Sequence, residues 1–361
     1  MPSLYSIERV RQADTFPVIA ATPGGVNNLF LLDQDHSLGT TSLENQVTRI
    51  VLSESGASFE PVIVQDQIHV GTYSFTQPWS EEAVCFSQSR AFCRLKPNEK
   101  VLLRKLATDS LDDIIEKTAL IDKGSGLFIL EMLHVKGIGY EKQLVPVSWD
   151  GDILQVGSRF TIGEKGLAYD EPWCVNGGKV LSYSLQGREI RALDQTLRAS
   201  SHPLASLFAD KKERFRQVDQ ICIHPELPFA IIADFAFGSR KQYIYWLASW
   251  QGDDFDVVPL FDNRESDGAN LVLTGLEFSP DGRFLAFQNR TDDPKRPDNV
   301  ILPVAKSYPF VIGPPIILGP VLNPGRTQVC SSWVHRPDPV RFVASDGDAL
   351  YVWTLRNPFD R

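Results

Sequence analysis

The sequence predicts an all-β protein made of repeated four-stranded antiparallel sheets, and three observations predict this class. Helical periodicity is scarce along the chain. Short runs in which apolar and polar residues alternate occur throughout, bounded by Gly, Pro, Asn and Asp, which is typical of strands joined by tight turns. Turn residues also recur at a regular interval, which indicates repetition of one supersecondary unit.

One recurring marker is a Ser-x-x-Gly turn between two apolar runs. It occurs at Ser53–Gly56, Ser148–Gly151 and Ser249–Gly252, and its glycines lie 95 and 101 residues apart. Each spacing is close to two repeats, so the unit is about 50 residues long. We expect each marker to be the hairpin turn between the third and fourth strands of a repeat.

A second marker is the chain reversal that follows the first strand of a repeat. Pro225, Pro280 and Pro337 lie 55 and 57 residues apart in such reversals, which gives the same period. In Ser279-Pro280-Asp281-Gly282, Pro fixes φ and Gly accepts the positive φ of a tight turn. The full set of reversals is Gly124–Gly126, Asn176–Gly178, His224–Glu226, Ser279–Gly282 and Arg336–Asp338.

The 361 residues hold seven units of this length, and seven four-stranded sheets packed side by side make a seven-bladed β-propeller. Cys85–Arg90 stands where the first reversal of blade 2 is expected, without its glycines, so a six-bladed count stays open. The whole chain, residues 1–361, is predicted to be one propeller domain. The blades are predicted at residues 16–66, 67–110, 111–160, 161–199, 213–263, 270–320 and 326–361.

The last blade shows three strands, at Val329–Val334, Arg341–Ala344 and Leu350–Leu355. A spare strand, Leu4–Arg11, lies at the other end of the chain. Pairing of these terminal strands would close the ring and remove the exposed sheet edges of an open array.

One segment, residues 201–217 between blades 4 and 5, is predicted to be helical. Ser201 is the expected N-cap and Pro203 lies in the first turn. The segment either covers a blade edge or docks a partner. The residues predicted to share one stripe are Leu204, Leu207, Phe208, Lys211 and Phe215.

The two faces of the predicted propeller carry different connections. If the first strand of each blade is innermost, the tight turns after the first and third strands lie on one face. The connections between strands 2 and 3, and between blades, lie on the other. The helix and the long connections at residues 77–82, 164–171, 262–273 and 290–298 belong to this second, long-loop face, where we expect binding residues.

Eight residues of the long connections are the candidate binding residues. Arg264, Asp267, Arg290 and Asp292 belong to two charged loops of blade 6, which form either a recognition surface for a polar ligand, a cation site of Asp oxygens, or solvated loops with internal ion pairs. Two further pairs place an aromatic residue beside a carboxylate, as the rim of a sugar or cation site would: Trp79 with Glu81, and Tyr169 with Asp170.

Composition narrows the class of partner. The formal net charge of −9 argues against a nucleic-acid-binding surface, which needs clustered Lys and Arg. No apolar stretch is long enough to span a membrane, and charges interrupt the N-terminal segment before a secretory signal could form. The five cysteines show no CxxC spacing and mostly lie in apolar runs, which favours free thiols and a cytoplasmic location.

No set of residues in the sequence specifies a reaction. The six histidines are dispersed without metal-site spacing, and the chain has no Gly-x-Ser-x-Gly elbow or Gly-rich phosphate loop. No cofactor and no metal ligand is therefore predicted, and the catalytic residues of an enzyme of this class stay unknown. Single residues from different blades could still meet in a central channel, with a divalent cation among them.

The hairpin from Leu276 to Phe287 resembles the blade signature of the WD40-like and TolB-like β-propeller repeats. Trp149, Trp246 and Trp353 resemble the aromatic residue that packs between neighbouring blades in such repeats. The resemblance implies a non-catalytic interaction module or scaffold that recognises a protein or a small polar ligand through the long-loop face. The seven predicted blades and the turn Ser148-Trp-Asp-Gly151 also resemble the seven-bladed lactonases, so an enzyme of the lactonase or lyase type is the alternative.

Overall fold

Short antiparallel strands joined by turns build the part of the chain that the computed structural model describes. The described residues are 5–12, 18–21, 28–34, 45–53, 56–62, 76–78, 84–88, 91–95, 102–106, 114–122, 124–136, 139–162, 172–184, 188–211, 215, 218–236, 242–252, 254–262, 273–289, 299–306, 312–318, 330–334, 339–345 and 349–360.

Within these ranges the strands form seven antiparallel sheets, numbered here in chain order, and the first three lie in the first half of the chain. Sheet 1 contains β2 (Val18–Ala21), β3 (Asn28–Gln34), β4 (Asn45–Ser53) and β5 (Gly56–Val62). Sheet 2 contains β6 (Thr76–Pro78), β7 (Val84–Gln88), β8 (Ala91–Leu95) and β9 (Leu102–Lys105). Sheet 3 contains β10 (Ile114–Asp122), β11 (Leu127–Lys136), β12 (Gly139–Asp150) and β13 (Ile153–Val156), and β14 (Phe160–Thr161) also pairs with β12.

The other four sheets follow the same order of strands. Sheet 4 contains β15 (Trp173–Asn176), β16 (Lys179–Ser184) and β17 (Glu189–Leu193). Sheet 5 contains β18 (Val218–Ile223), β19 (Phe229–Ala236), β20 (Gln242–Gln251) and β21 (Asp254–Asp262). Sheet 6 contains β22 (Leu273–Phe278), β23 (Phe284–Asn289), β24 (Asn299–Pro303) and β25 (Ile316–Ile317). Sheet 7 contains β26 (Cys330–Val334), β27 (Arg341–Ser345), β28 (Ala349–Leu355) and β1 (Tyr5–Gln12).

The terminal strands of the chain pair with each other. β1 runs antiparallel to β28, with Tyr5 opposite Leu355 and Gln12 opposite Ala349. β1 is thus the outermost strand of sheet 7, as the sequence predicted for Leu4–Arg11. The N-terminus therefore supplies the fourth strand that the C-terminal segment lacks.

The chain divides into two compact units. The first unit is Met1–His134, Val147–Val156 and Gly325–Arg361, and in it the first strands of neighbouring sheets lie side by side in the order β26, β2, β6 and β10. The second unit is Val135–Pro146 and Gly157–Pro324, and in it β18 lies between β15 and β22. Within each unit the first strands are therefore the central elements, as in the blades of the predicted repeat.

One detail of the predicted blades is wrong. Cys85–Arg90 is not the first reversal of blade 2, because Val84–Gln88 forms β7, which pairs with β6 and β8. This run contains Val84 and Phe86 two positions apart and no Gly or Pro, so it suits a strand. Within the described residues sheet 4 has three strands, and Ala199 forms a single antiparallel bridge with Leu193 of the third strand.

A helix lies beside the outer strand of that three-stranded sheet. α1 (Pro203–Lys211) is shorter than the predicted helical segment 201–217, and it contacts β17. The predicted N-cap is also wrong, because His202, rather than Ser201, caps the helix: the Nδ1 of His202 accepts a hydrogen bond from the amide of Leu204 at 3.1 Å. The helix therefore covers the sheet edge, one of the two roles that the sequence left open.

Two apolar clusters pack sheets 4, 5 and 6 together. Cluster A joins α1 with sheets 4 and 5, and its buried members are Leu181, Tyr183, Ile190, Ala192, Leu204, Leu207, Phe208, Phe215, Val218, Ile221, Ala230, Ile232, Ala248 and Val257. Cluster B joins sheets 5 and 6 through buried Phe229, Ile231, Ala233, Tyr245, Phe278, Leu285, Phe287, Leu302 and Val304. The tryptophans predicted to pack in the core do so: Trp149 and Trp353 are buried, and Trp246 packs against cluster A.

We predict that deletion of residues 1–12 abolishes soluble expression. The deletion removes β1 and leaves the edge of β28 unpaired, and unpaired edges promote aggregation. The measurement is the soluble, monomeric fraction by size-exclusion chromatography. The control is Ile7→Ser, which changes an exposed side chain of β1 but keeps the strand and is expected to leave that fraction unchanged. A stable, monomeric truncated protein would contradict the prediction.

Candidate functional site

The eight predicted binding residues all lie outside the described residues. Their positions between strands are nevertheless defined along the chain. Tyr169 and Asp170 fall between β14 and β15, and the charged residues of blade 6 fall between β21 and β22 or between β23 and β24. These are connections between sheets, or between second and third strands, as expected for the long-loop face.

Trp79 and Glu81 belong to a different type of connection from the one predicted. They follow β6, the first strand of sheet 2, and precede β7, its second strand. The expectation that residues 77–82 are a connection of the long-loop face, between blades or between second and third strands, is therefore wrong for this pair. The sequence did not reveal β6 because the strand is only three residues long, Thr76–Pro78, and ends in a proline.

The best-defined polar site in the described residues is the turn at His224. The Nδ1 of the buried His224 ring accepts hydrogen bonds from the amides of Glu226 at 3.0 Å and Leu227 at 2.8 Å. Nε2 must then carry the ring proton, and it donates to the carbonyl oxygen of Gly282 at 3.0 Å. The ring packs between Phe229 and Phe278, with centroids 4.6 Å and 5.1 Å away.

Hydrogen bonds connect the turns of three consecutive sheets through this histidine. The Nδ2 of Asn176, in the turn of sheet 4, donates to the backbone oxygen of His224 at 3.4 Å. His224 in turn donates to Gly282 in the turn of sheet 6. From the sequence repeats, these three residues were expected only to form turns. In the structure they also make the hydrogen bonds between neighbouring turns.

In the turn after β22, the polar side chains form hydrogen bonds within the turn itself. Ser279 Oγ donates to Asp281 Oδ1 at 2.7 Å and accepts a hydrogen bond from the amide of Phe284 at 3.0 Å. The amide of Arg283 donates to the same carboxylate at 3.1 Å, and its guanidinium pairs with that carboxylate. Gly282 completes the turn with φ of +69°.

Two other turn carboxylates are used in the same way. Asp122 accepts hydrogen bonds from the Ser125 hydroxyl and the Gly124 amide, which lower its pKa. Asp194 accepts hydrogen bonds from the Thr196 hydroxyl and from the Arg198 amide, and these lower its pKa as well. The carboxylates of these turns are therefore part of the scaffold.

A polar contact between neighbouring sheets also occurs in the first unit. The buried Arg94 of β8 donates to the backbone oxygen of Gly151 at 2.5 Å and to the carboxylate of Asp152 at 2.7 Å. Its guanidinium lies 5.1 Å from the ring centroid of Trp149. This contact fixes the turn after β12, which the sequence identified by its Ser-x-x-Gly marker.

Among the carboxyl groups that the structure describes, Glu277 has the pKa that is raised most. It lies on β22 between Leu276 and Phe278, which pack with cluster B, so its side chain is on the opposite face of the strand. Loss of hydration raises its pKa to about 7. The sequence contained one signal for this residue, a single ionisable side chain within an otherwise uncharged first strand. The sequence analysis did not select Glu277 as a candidate.

Neither a metal site nor a membrane span is found in the part of the chain that the structure describes. No three His, Cys, Asp or Glu side chains group there as a metal ion would require. The helix present in this part is not long and apolar enough to cross a membrane.

Comparison with known proteins shows the fold class. No family model and no curated protein matches the sequence. Among solved structures, the Nup133 β-propeller domain of Vanderwaltozyma polyspora is 8% identical, with a TM-score of 0.56 over 98% of this chain and 97% of that one. The β-propeller domain of the trilobed protease from Pyrococcus furiosus is 7% identical, with a TM-score of 0.54 over 95% and 94%.

A propeller enzyme is similar to the same degree. The periplasmic gluconolactonase of Pseudomonas aeruginosa is 12% identical, with a TM-score of 0.54 over 99% of this chain and 94% of that one. The chain thus has the fold of the β-propeller repeat proteins, as the Ser279–Gly282 hairpin predicted. At these identities the likeness concerns the fold alone.

We predict that Gly282→Ala destabilises the protein much more than Gly252→Ala. Both glycines have positive φ, which costs an alanine about 1–2 kcal/mol. A Cβ on Gly282 would also lie 2.2 Å from the His224 ring, whereas a Cβ on Gly252 has nothing within 4 Å. The measurement is the free energy of unfolding in urea, and equal losses in the two variants would show that the His224 contact is unimportant.

We also predict that His224 makes stability depend on pH. Burial lowers its pKa, and the nearby charges are Glu226, Lys306 and Asp281. The stabilisation by neutral His224 is complete above the ordinary pKa of about 6.5, and it is lost as the pH falls toward the lower folded pKa, because the unfolded chain binds the proton more readily.

The measurement is the free energy of unfolding of wild type and His224→Gln between pH 7.5 and pH 5. The variant is expected to be less stable at pH 7.5, and the difference is expected to shrink as the pH falls. Parallel pH profiles for the two proteins would contradict the role assigned to Nδ1.

Proposed function

We propose that this chain is a closed seven-bladed β-propeller that binds a protein or a small polar ligand through its long-loop face, without catalysing a reaction. Pairing of β1 with β28, and the presence of seven sheets among the described residues, support this arrangement. Closure by terminal strands would leave no first or last blade with an exposed edge.

One observation carries the choice of face. The polar side chains of the described tight turns are engaged within those turns, at Asp122, Asp194, His224 and Asp281. A side chain that holds its own turn must break those hydrogen bonds before it binds a ligand. The long connections, which contain Arg264, Asp267, Arg290 and Asp292, differ in sequence from the repeated turns, and loops held by a rigid scaffold commonly carry binding residues.

The test compares wild type with a variant in which these four charged residues are replaced by Ala. Ligand or partner molecules that co-purify with the protein are identified by native mass spectrometry, without chelator. Binding of such a molecule is expected to weaken at least about tenfold in the variant. The control replaces the exposed ion pair of Glu226 and Lys306 on the tight-turn face by Ala and is expected to bind normally. Equal binding by all three proteins would contradict the proposed face.

Glu277 supports a second candidate function. A carboxyl with a pKa of about 7 can act as a general acid or base near neutral pH. It lies on the first strand of its sheet, where the residues of a propeller enzyme's channel are expected. A lactonase or lyase activity, with a divalent cation held by carboxylates, is therefore the alternative, and Glu277 is the residue to examine first.

We predict that the Glu277 carboxyl titrates near pH 7, against an ordinary value of about 4.5. Because the folded pKa is raised, Glu277 stabilises the protein fully below about pH 4.5, and this stabilisation is lost as the pH rises toward 7. Glu277→Gln is therefore expected to gain stability relative to wild type above pH 7. Carbon-13 NMR of the labelled carboxyl measures the pKa directly, with the variant as the assignment control, and a midpoint near 4.5 would remove the case for acid–base chemistry.

A further inference from the structure

Two histidines, one at the start of α1 and one in the first turn of sheet 5, use the same ring atom in the same way. The Nδ1 of half-buried His202 accepts the amide hydrogen of Leu204, and the Nδ1 of buried His224 accepts those of Glu226 and Leu227. Both rings are therefore neutral, with their proton on Nε2. A second proton would occupy Nδ1 and break the hydrogen bonds that this atom accepts.

The hairpin turn of sheet 4 connects the two histidines on one side. The Nζ of Lys179 donates to the backbone oxygen of Ser201, the residue before His202, at 2.5 Å. The Nδ2 of Asn176 donates to the backbone oxygen of His224 at 3.4 Å. Asn176 and Lys179 are directly opposite each other where β15 and β16 meet. One hairpin end therefore contacts both the start of α1 and the turn at His224.

Trp250 of β20 connects the two histidines on the other side. Its ring packs edge-on against the ring of His202, with centroids 5.9 Å apart. Its backbone amide donates to the backbone oxygen of Pro228 at 2.9 Å, within the turn that the amide of His224 closes by donating to Phe229 at 3.0 Å. These contacts form a closed circuit, called the histidine cluster here. Its residues are Asn176, Lys179, Ser201, His202, His224, Pro228 and Trp250.

The surroundings of His202 favour its neutral form. Burial lowers the pKa of His202, and the positive charge of Lys179 lowers it further. No Asp or Glu lies in the first turn of α1, so a charged His202 would also face the positive end of the helix dipole without compensation. Protonation therefore removes the cap of α1 and places like charges together.

The surroundings of His224 have a mixed effect, in which burial is largest. Burial lowers the pKa of His224, whereas its hydrogen bond to Gly282 and the charges of Glu226 and Asp281 raise it, and Lys306 lowers it. Glu226 is paired with Lys306, and Asp281 is paired within its own turn, which limits what these carboxylates contribute.

The lowered pKa values fix the direction of the pH dependence. Each neutral ring stabilises the histidine cluster fully above the ordinary pKa of about 6.5. This stabilisation is lost as the pH falls toward the lower folded values, because a ring that has left the cluster binds the proton more readily.

We propose that the histidine cluster is a pH-sensitive switch, which holds α1 and the turns of sheets 4 and 5 together while both rings are neutral and opens as a unit when they are protonated. The sheets themselves stay intact, because their strands are held by backbone pairing and by clusters A and B. Opening releases the first turn of α1, the helix that covers the edge of sheet 4.

The experiment measures amide hydrogen exchange of the full chain by NMR at pH 7 and pH 5, corrected for the intrinsic exchange rate at each pH. The amides that report on the histidine cluster are those of Leu204, Glu226 and Leu227, which the two rings accept. The amide of Ile231, in the middle of β19, reports on the sheets.

Two variants accompany wild type, and circular dichroism establishes that each is folded. His202→Asn keeps a side chain that caps helices well but does not titrate. The control, His134→Asn, replaces a half-buried histidine of β11 that lies outside the histidine cluster.

In wild type and in His134→Asn, exchange of the three reporting amides is expected to speed up together, at least about tenfold, between pH 7 and pH 5. The Ile231 amide is expected to keep its protection. His202→Asn is expected to reduce the acid-induced change at Glu226 and Leu227 as well as at Leu204, because a cluster that opens as a unit then takes up one proton fewer.

Nitrogen-15 NMR of the histidine rings tests the same proposal without a variant. Both rings are expected to carry their proton on Nε2 at pH 7 and to titrate below the ordinary value of about 6.5. The proposal is overturned if either ring is protonated on Nδ1 or titrates at or above that value. It is also overturned if the reporting amides stay protected at pH 5, if Ile231 loses protection in parallel, or if His202→Asn alters exchange only at Leu204.

Discussion

Burial of both faces of a sheet, which sheet 5 shows, is the constraint on which the rest of this structure depends. β19 of sheet 5 shows it residue by residue: Phe229, Ile231 and Ala233 pack into cluster B, whereas Ala230 and Ile232 pack into cluster A. Successive strand residues point to opposite faces, so a strand covered on both faces must be apolar without interruption. A single sheet of this kind would expose one apolar face or the other, and it becomes stable only between two neighbours.

Neighbouring sheets that pack in this way must also be held in a fixed position relative to each other. Hydrogen bonds between their tight turns hold them. The hydrogen bonds from Asn176 to His224 and from His224 to Gly282 join the turns of sheets 4, 5 and 6 at one level. His224 can serve only as the neutral ring, because its Nδ1 faces two amide donors. The absence of a side chain at Gly282 lets the ring approach. Glycine is thus required at this position for contact between sheets as well as for turn geometry.

The sequence predicted the repeat because the turns carry its strongest chemical signals. Ser279–Gly282 and Ser249–Gly252 contain residues with few alternative conformations, so their spacing measured the period. Sheet 2 was harder to place, because its short first strand and its Val84–Gln88 strand lack those signals. His202 displaced Ser201 as the helix cap because a ring nitrogen can also accept the amide hydrogen bond, which sequence preferences underrate.

The candidate site was less predictable for a different physical reason. Binding and catalytic residues depend on which side chains from distant repeats meet, and a repeat pattern describes only what the repeats share. Glu277 is an example, because its unusual pKa arises from surrounding protein that no local motif specifies. Because apolar and polar residues alternate at Leu276, Glu277 and Phe278, the sequence placed the Glu277 side chain on the face of β22 opposite Leu276 and Phe278. It did not show which groups surround the carboxyl on that face.

The outer edges of the sheets are protected from edge-to-edge pairing in different ways. Sheet 7 gains β1 as its outer strand, and sheet 4 has α1 beside β17. Aspartates and a proline on β21 protect the edge of sheet 5, since charge and Pro discourage edge-to-edge pairing. Val258 of β21 is exposed opposite Leu247, which packs against cluster B, so the apolar layer between the sheets reaches the surface at this strand. An apolar residue at an open edge favours aggregation, and the charges and the proline on the same strand oppose it.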